Sequence, residues 1–173
     1  MKNESLTSFE QLKCWQACRA LRMFVAGEAV RRLPAEEKYR MGDQMLRSAR
    51  STTANIAEGF GRYYYADNAR FCRQARGSCT EVLDHFITAV DESLLDRSWL
   101  DKCRPLVDEA QRLLGGYIRY LLARRHDGEA PTVAEDPDSD YAQGPVPAFP
   151  DLIAPVPCRR TIPDEMDQPT ATN

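Results

Sequence analysis

Chemistry in this chain must come from few residues. It has two histidines, His85 and His126. Glu81 and His85 stand one helical turn apart, a spacing that more often marks a solvated helix face than a catalytic pair. No Ser-His-Asp or Cys-His arrangement, phosphate loop or dinucleotide fingerprint is present. A di-iron carboxylate bundle would need two Glu-x-x-His pairs, and the chain has none. No catalytic residue and no cofactor is therefore assigned.

The six cysteines invite a metal reading. Cys14 and Cys18 lie one turn apart, and Cys72 and Cys79 two turns apart, so four thiolates from two helices could in principle hold zinc. Yet Cys14 and Cys18 fall on an apolar stripe, where free cysteine behaves as a small hydrophobe. Cys103 and Cys158 complete no compact zinc spacing, and no metal site is assigned. The start of the chain lacks an apolar signal region, and no run reaches the roughly 18 to 20 apolar residues of a membrane span. Reduced thiols in the cytoplasm, with no membrane partner, are the expectation.

Arginine clusters better. Of 23 basic residues 19 are Arg, whose planar fork suits phosphate. Arg70, Arg73 and Arg76 recur every three residues, with Arg62 and Tyr63 before them. Arg47 and Arg50 stand upstream, and Arg119, Arg124 and Arg125 downstream. A basic groove with adjacent aromatics could hold phosphates and stack bases. The competing reading is ion pairing within the fold: a hairpin turning near Gly61 to Tyr65 places Arg47 opposite Ser78 and Glu81.

Charge divides the chain. Up to His126 there are 21 Lys and Arg against 16 Asp and Glu, a balance of +5. From Asp127 onward there are 2 against 10, a balance of −8. A basic body with an acidic tail often accompanies nucleic-acid binding.

The elements that must position these residues are helical, since apolar residues recur at helical spacing with no strand alternation. The first helix is expected from about Ser5 or Ser8 to Leu33, with Cys14, Cys18, Leu21 and Val25 inward. The second begins near Pro34, turns Met45, Ala49, Thr52 and Ile56 inward, and stops at Gly59. The third covers about Ala66 to Leu95, with Phe71, Ala75, Ser78, Val82, Phe86 and Ala89 inward. The fourth runs from about Ser98 to Arg125, with Leu106, Ala110, Leu113, Tyr117 and Leu121 inward and a kink or a start at Pro105. Four such helices on short links make an all-α, antiparallel up-down-up-down four-helix bundle over residues 1–126.

Residues 127–173 read as a disordered acidic Pro-rich tail, since nine of the eleven prolines fall there. Its more apolar stretch, residues 145–157, could dock a partner or fold back onto the bundle. If the tail competes for the basic face, deleting it should strengthen nucleic-acid binding.

The stretch Ser48 to Arg62 is small-sided and polar for a packed helix, so Asn55 and Glu58 need partners. It also carries a resemblance. Asn55-Ile-Ala-Glu-Gly59 followed by Gly61-Arg62, then Phe71, Ala75, Gly77, Ser78 and Glu81, resembles the four-helix bundle proteins encoded in intervening sequences of 23S ribosomal RNA genes. Phe9, Leu12, Trp15 and Leu33-Pro-Ala-Glu-Glu37 fit the same pattern, over about residues 5 to 125. The resemblance implies a ring, a homopentamer, with Asn55, Glu58, Gly59, Ser78 and Glu81 as structural motif positions. It also implies kinship with the accessory variability determinant proteins of diversity-generating retroelements, which bind reverse transcriptase and nucleic acid. Met23, Phe24, Trp99 and Leu122, apolar but off the stripes, are candidates for the interface between copies.

Two functions follow. The first is a non-enzymatic, oligomeric bundle that associates with RNA or other nucleic acid through Arg-rich faces. The alternative is an accessory subunit that binds a reverse transcriptase.

Overall fold

The structure, a computed structural model, describes residues 6–62, 64–124 and 147–153. The chain enters through a 3-10 turn, Phe9–Gln11, closed by a capping box: the Ser8 hydroxyl accepts from the Glu10 amide, and the Gln11 side chain accepts from the Ser8 amide. Helix α1 spans Lys13–Phe24 and continues through a π turn, Val25–Ala29, and a 3-10 turn, Val30–Arg32. Its inward positions Cys14, Cys18, Leu21 and Val25 are buried as expected.

The second helix, α2, spans Met41–Phe60, so it starts seven residues later than Pro34 suggested. Leu33 is extended before the proline, and the intervening chain closes tight turns, Glu37 N to Pro34 O at 3.0 Å and Arg40 N to Glu37 O at 3.2 Å. Helices α3 (Tyr65–Asp91) and α4 (Arg97–Arg124) complete the bundle. Pro105 lies inside α4 rather than at its start.

Cross-helix contacts set the register. Phe9 meets Phe60 while Arg22 meets Thr53; Gly59 abuts Asn68 while Ser51 meets Ser78; Asn68 meets Tyr117 while Thr80 meets Gln111. In each pair one residue number rises as the other falls, so successive helices run antiparallel. α1 packs against α2 and α4, and α3 against the same two. The all-α four-helix bundle is thus observed.

In α4 the residues Leu100, Cys103, Val107, Ala110, Leu114, Tyr117 and Leu121 alternate by three and four along the core, and Gly115, Gly116, Ile118 and Tyr120 are buried beside them toward the C-terminal end. The expected stripe included Leu106 and Leu113, which are instead half-buried at the edge of the core. Phe24 lies in the core against Phe86 and Trp99, at ring separations of 5.8 and 5.9 Å. Of the four interface candidates only Met23 is exposed, because Trp99 and Leu122 are half-buried as well.

Part of the tail is attached. Leu152, in a 3-10 turn Phe149–Leu152, is buried, Ile153 forms an antiparallel bridge with Leu12, and Pro147 and Leu152 lie over Gly116. This short strap uses Pro147 and Leu152 from the more apolar stretch of residues 145–157. The rest of the expected tail lies outside the described residues.

A candidate nucleic-acid interface at one end of the bundle

The small polar residues of α2 are buried without loss because they bond back to their own helix. The hydroxyls of Ser48 and Thr52 donate to the carbonyls of Met45 and Ala49, at 3.1 and 2.7 Å. Thr53 does the same to Arg50 O and accepts from Arg22 Nη1 at 2.9 Å. Being short, these side chains let α2 approach its neighbours. Asn55, half-buried, donates to the carbonyl and hydroxyl of Ser51, and the Ser78 hydroxyl reaches Ser51 Oγ at 2.9 Å. Asn55 therefore has a structural role inside the α2–α3 contact.

Gly59 is not the helix stop. It lies within α2 and is buried, and a Cβ there would stand 2.8 Å from Asn68 Oδ1 and 2.9 Å from Phe71 Cβ. The residue is glycine because α3 passes too close for a side chain. Glu58, by contrast, is exposed, and it pairs with Arg62 one turn on. Glu81 is also exposed and makes no ion pair with Arg47 among the described residues, so the expected internal pairing of Arg47 does not form.

Because α2 ends where α3 begins, and α4 returns to the same end, several arginines and tyrosines converge there. The guanidiniums of Arg62 and Arg70 lie 4.9 and 5.5 Å from the centroid of one ring, Phe71. Arg124 lies 4.9 Å over Tyr120, which stacks on Tyr117 at 6.3 Å. Burial raises the Tyr120 hydroxyl's pKa, with Arg124 pulling the other way. Burial likewise holds Tyr117 in its neutral form, where its oxygen accepts from Asn68 at 3.1 Å. Tyr64 and Tyr65 are exposed beside them, 52% and 44%. Glu58 and Asp67 are the nearby countercharges by position.

Not all the anticipated arginines share this surface. At 100° per residue, Arg73 and Arg76 fall on the side of α3 turned toward α4, where Thr80 meets Gln111. Arg119 faces the same groove from α4. Arg50 lies on the opposite side of the bundle, toward α1, with Arg19 and Arg22, while Arg47, one turn before Ser51, falls on the solvent side of α2 nearer α3. The anticipated groove is therefore two basic regions. Tyr63 and Arg125 lie outside the described residues. The ring of Phe71 and the Tyr120–Arg124 pair were not anticipated as site elements; the i,i+4 spacing of an aromatic and an arginine was the available signal.

The cysteines are elsewhere. Cys14, Cys18, Cys72, Cys79 and Cys103 are free and buried in the core. Burial pushes the thiols of Cys14 and Cys103 up to about 12. Among the described residues no group of three or more His, Cys, Asp or Glu is arranged to hold a metal. Nor is any described helix long and apolar enough to cross a membrane.

Residues 10–116 match the family model described as 23S rRNA-intervening sequence protein. The chain belongs to that family. The matched span contains Asn55 to Arg62 and the Gly59 contact, so the motif that carries the resemblance is also where α2 and α3 pack closely in this intervening-sequence family member. It ends at Gly116, where the strap sits, and so leaves the tail outside the family match. No curated protein matches the chain.

Proposed function

We propose that this family member is a non-enzymatic bundle that associates with RNA or other nucleic acid through the basic, aromatic end formed by Arg62, Tyr64, Tyr65, Arg70 and Arg124, with the α3–α4 groove of Arg73, Arg76 and Arg119 beside it. The observation that carries the reading is the convergence of arginines held over rings with exposed tyrosines. Phosphates take the guanidinium forks, and unstacked bases take the tyrosine faces. Gly77, between Arg73 and Arg76 on one side and Arg70 on the other, has nothing within 4 Å of the position a Cβ would take, so the chain there is open to close approach.

Self-association uses other surfaces. The α1–α2 side carries Arg19, Arg22 and Arg50 around exposed Met23, and the α3–α4 side away from the basic end carries Asp84 and Asp108. Opposite charges on opposite sides suit a heterologous contact between copies, the kind that closes a ring such as a pentamer.

The test is salt-dependent retention of single-stranded RNA by the full chain and by a triple charge reversal, Arg70→Glu, Arg73→Glu and Arg76→Glu. Retention that the reversal abolishes supports the reading. Retention that is absent, or that survives the reversal, sinks it and favours the protein-partner alternative, a reverse transcriptase subunit contact.

A further inference from the structure

The geometry points to a single phosphate seat between Arg62 and Arg70, with Glu58 on Arg62 as a partial stand-in anion in the unbound protein. This rests on the proposed nucleic-acid reading and names the first contact within it. Both guanidiniums sit over Phe71, at 4.9 and 5.5 Å from its centroid. That ring is only 8% exposed, and the Phe71 Cβ lies against Gly59, so the platform is packed into the α2–α3 contact. Arg62 is held from its backbone as well, its amide donating to Gly59 O at 3.0 Å. Two like charges are thus gathered at one buried ring, an arrangement that gains when an anion bridges them.

Glu58 supplies half of that anion. Its Oε1 accepts from Arg62 Nη2, while Arg70 has no carboxylate partner among the described residues. The pair is exposed, 48% and 52%, and spans one turn of helix, so water and salt screen it heavily. A phosphodiester offers two oxygens to two forks, whereas Glu58 reaches only one arginine. Exchange of the weak internal pair for the bridging one is therefore favourable once a strand is bound. It also sets a threshold, because an anion that cannot engage both arginines does not displace Glu58.

The experiment measures binding of labelled poly(U) by the full-length protein, wild type, Glu58→Gln, Arg70→Ala and Arg70→Lys, across a salt series. Glu58→Gln is expected to tighten binding roughly two- to fivefold, since the competing charge is gone and an exposed residue leaves the fold intact. Arg70→Ala is expected to weaken binding and to reduce the salt slope by about 0.7, one phosphate on a single strand. Arg70→Lys keeps the charge but not the fork, so the slope should persist while affinity falls. If wild type binds and these variants match it, the seat is wrong although the broader reading stands. If wild type does not bind poly(U), the broader reading fails first. Inorganic phosphate forms a second arm: thermal protection by it equal to that by poly(U), and lost in Arg70→Ala, would assign the seat to free phosphate and overturn the nucleic-acid assignment.

Discussion

Gly59 and Gly77 both lie within long helices, yet their surroundings predict opposite outcomes on substitution. A Cβ at Gly59 would meet Asn68 Oδ1 and Phe71 Cβ inside 3 Å, so Gly59→Ala must push α2 from α3, at a cost of about 1–3 kcal/mol. At Gly77 nothing lies within 4 Å, and Gly77→Ala is expected to stabilise the protein by about 0.5–1 kcal/mol through helix propensity. Thermal unfolding of the two variants checks both signs. The same contrast limits what could be read in advance. The motif around Asn55 to Gly59 announced close packing, but a glycine late in a helix reads first as a stop, and only the position of Asn68 shows otherwise. Glu58 resisted reading for the opposite reason: an exposed carboxylate has no burial to betray its role.

The elements were legible wherever one apolar stripe dominated, as in α1, α2 and α3. In α4 the larger leucines, Leu106 and Leu113, drew attention from smaller Val107 and from Leu114, because burial of Gly115, Gly116, Ile118 and Tyr120 widens its core beyond one stripe. The late start of α2 depends on how Leu33 buries before Pro34, a tertiary effect with no periodic signal. Burial of thiols on α1, α3 and α4 makes a pH prediction. The folded pKa values of Cys14 and Cys103, about 12, lie above the ordinary 9.0, and those of Cys18 and Cys72 are raised as well. Below about pH 9 folded and unfolded chains both keep these protons, and the full stability is present. Between about 9 and 12 the unfolded chain alone ionises, so stability falls as pH rises, by up to about 1.4 kcal/mol per pH unit for each thiol. Denaturant midpoints across that range test the sign, and a midpoint that rises would contradict the burial.

For the molecule as a whole, the bundle arranges its helix ends so that one end collects arginines and rings, and the strap packs against that half of the structure. The strap is anchored by Leu152 over Gly116 and by the bridge to Leu12. Leu152→Ala is expected to release it, with protection of the Leu12 amide region from hydrogen exchange falling while α2 and α3 are unchanged. Its fold-back was open in the sequence because a Pro-rich apolar stretch suits either a partner or its own bundle, and only the gap above Gly116 decides. Residues 127–173 carry a balance of −8, so removing them is expected to tighten RNA binding, and unchanged affinity would reject competition by the tail. The most direct test of the basic end compares two double charge reversals in poly(U) binding across a salt series: Arg70→Glu with Arg124→Glu at that end, and Arg19→Glu with Arg50→Glu on the opposite side. The first pair is expected to flatten the salt dependence and lose affinity at least tenfold, about 1.4 kcal/mol, while the second stays near wild type. Equal losses from both pairs, or loss only from Arg19 and Arg50, would contradict the assignment of the interface to this end.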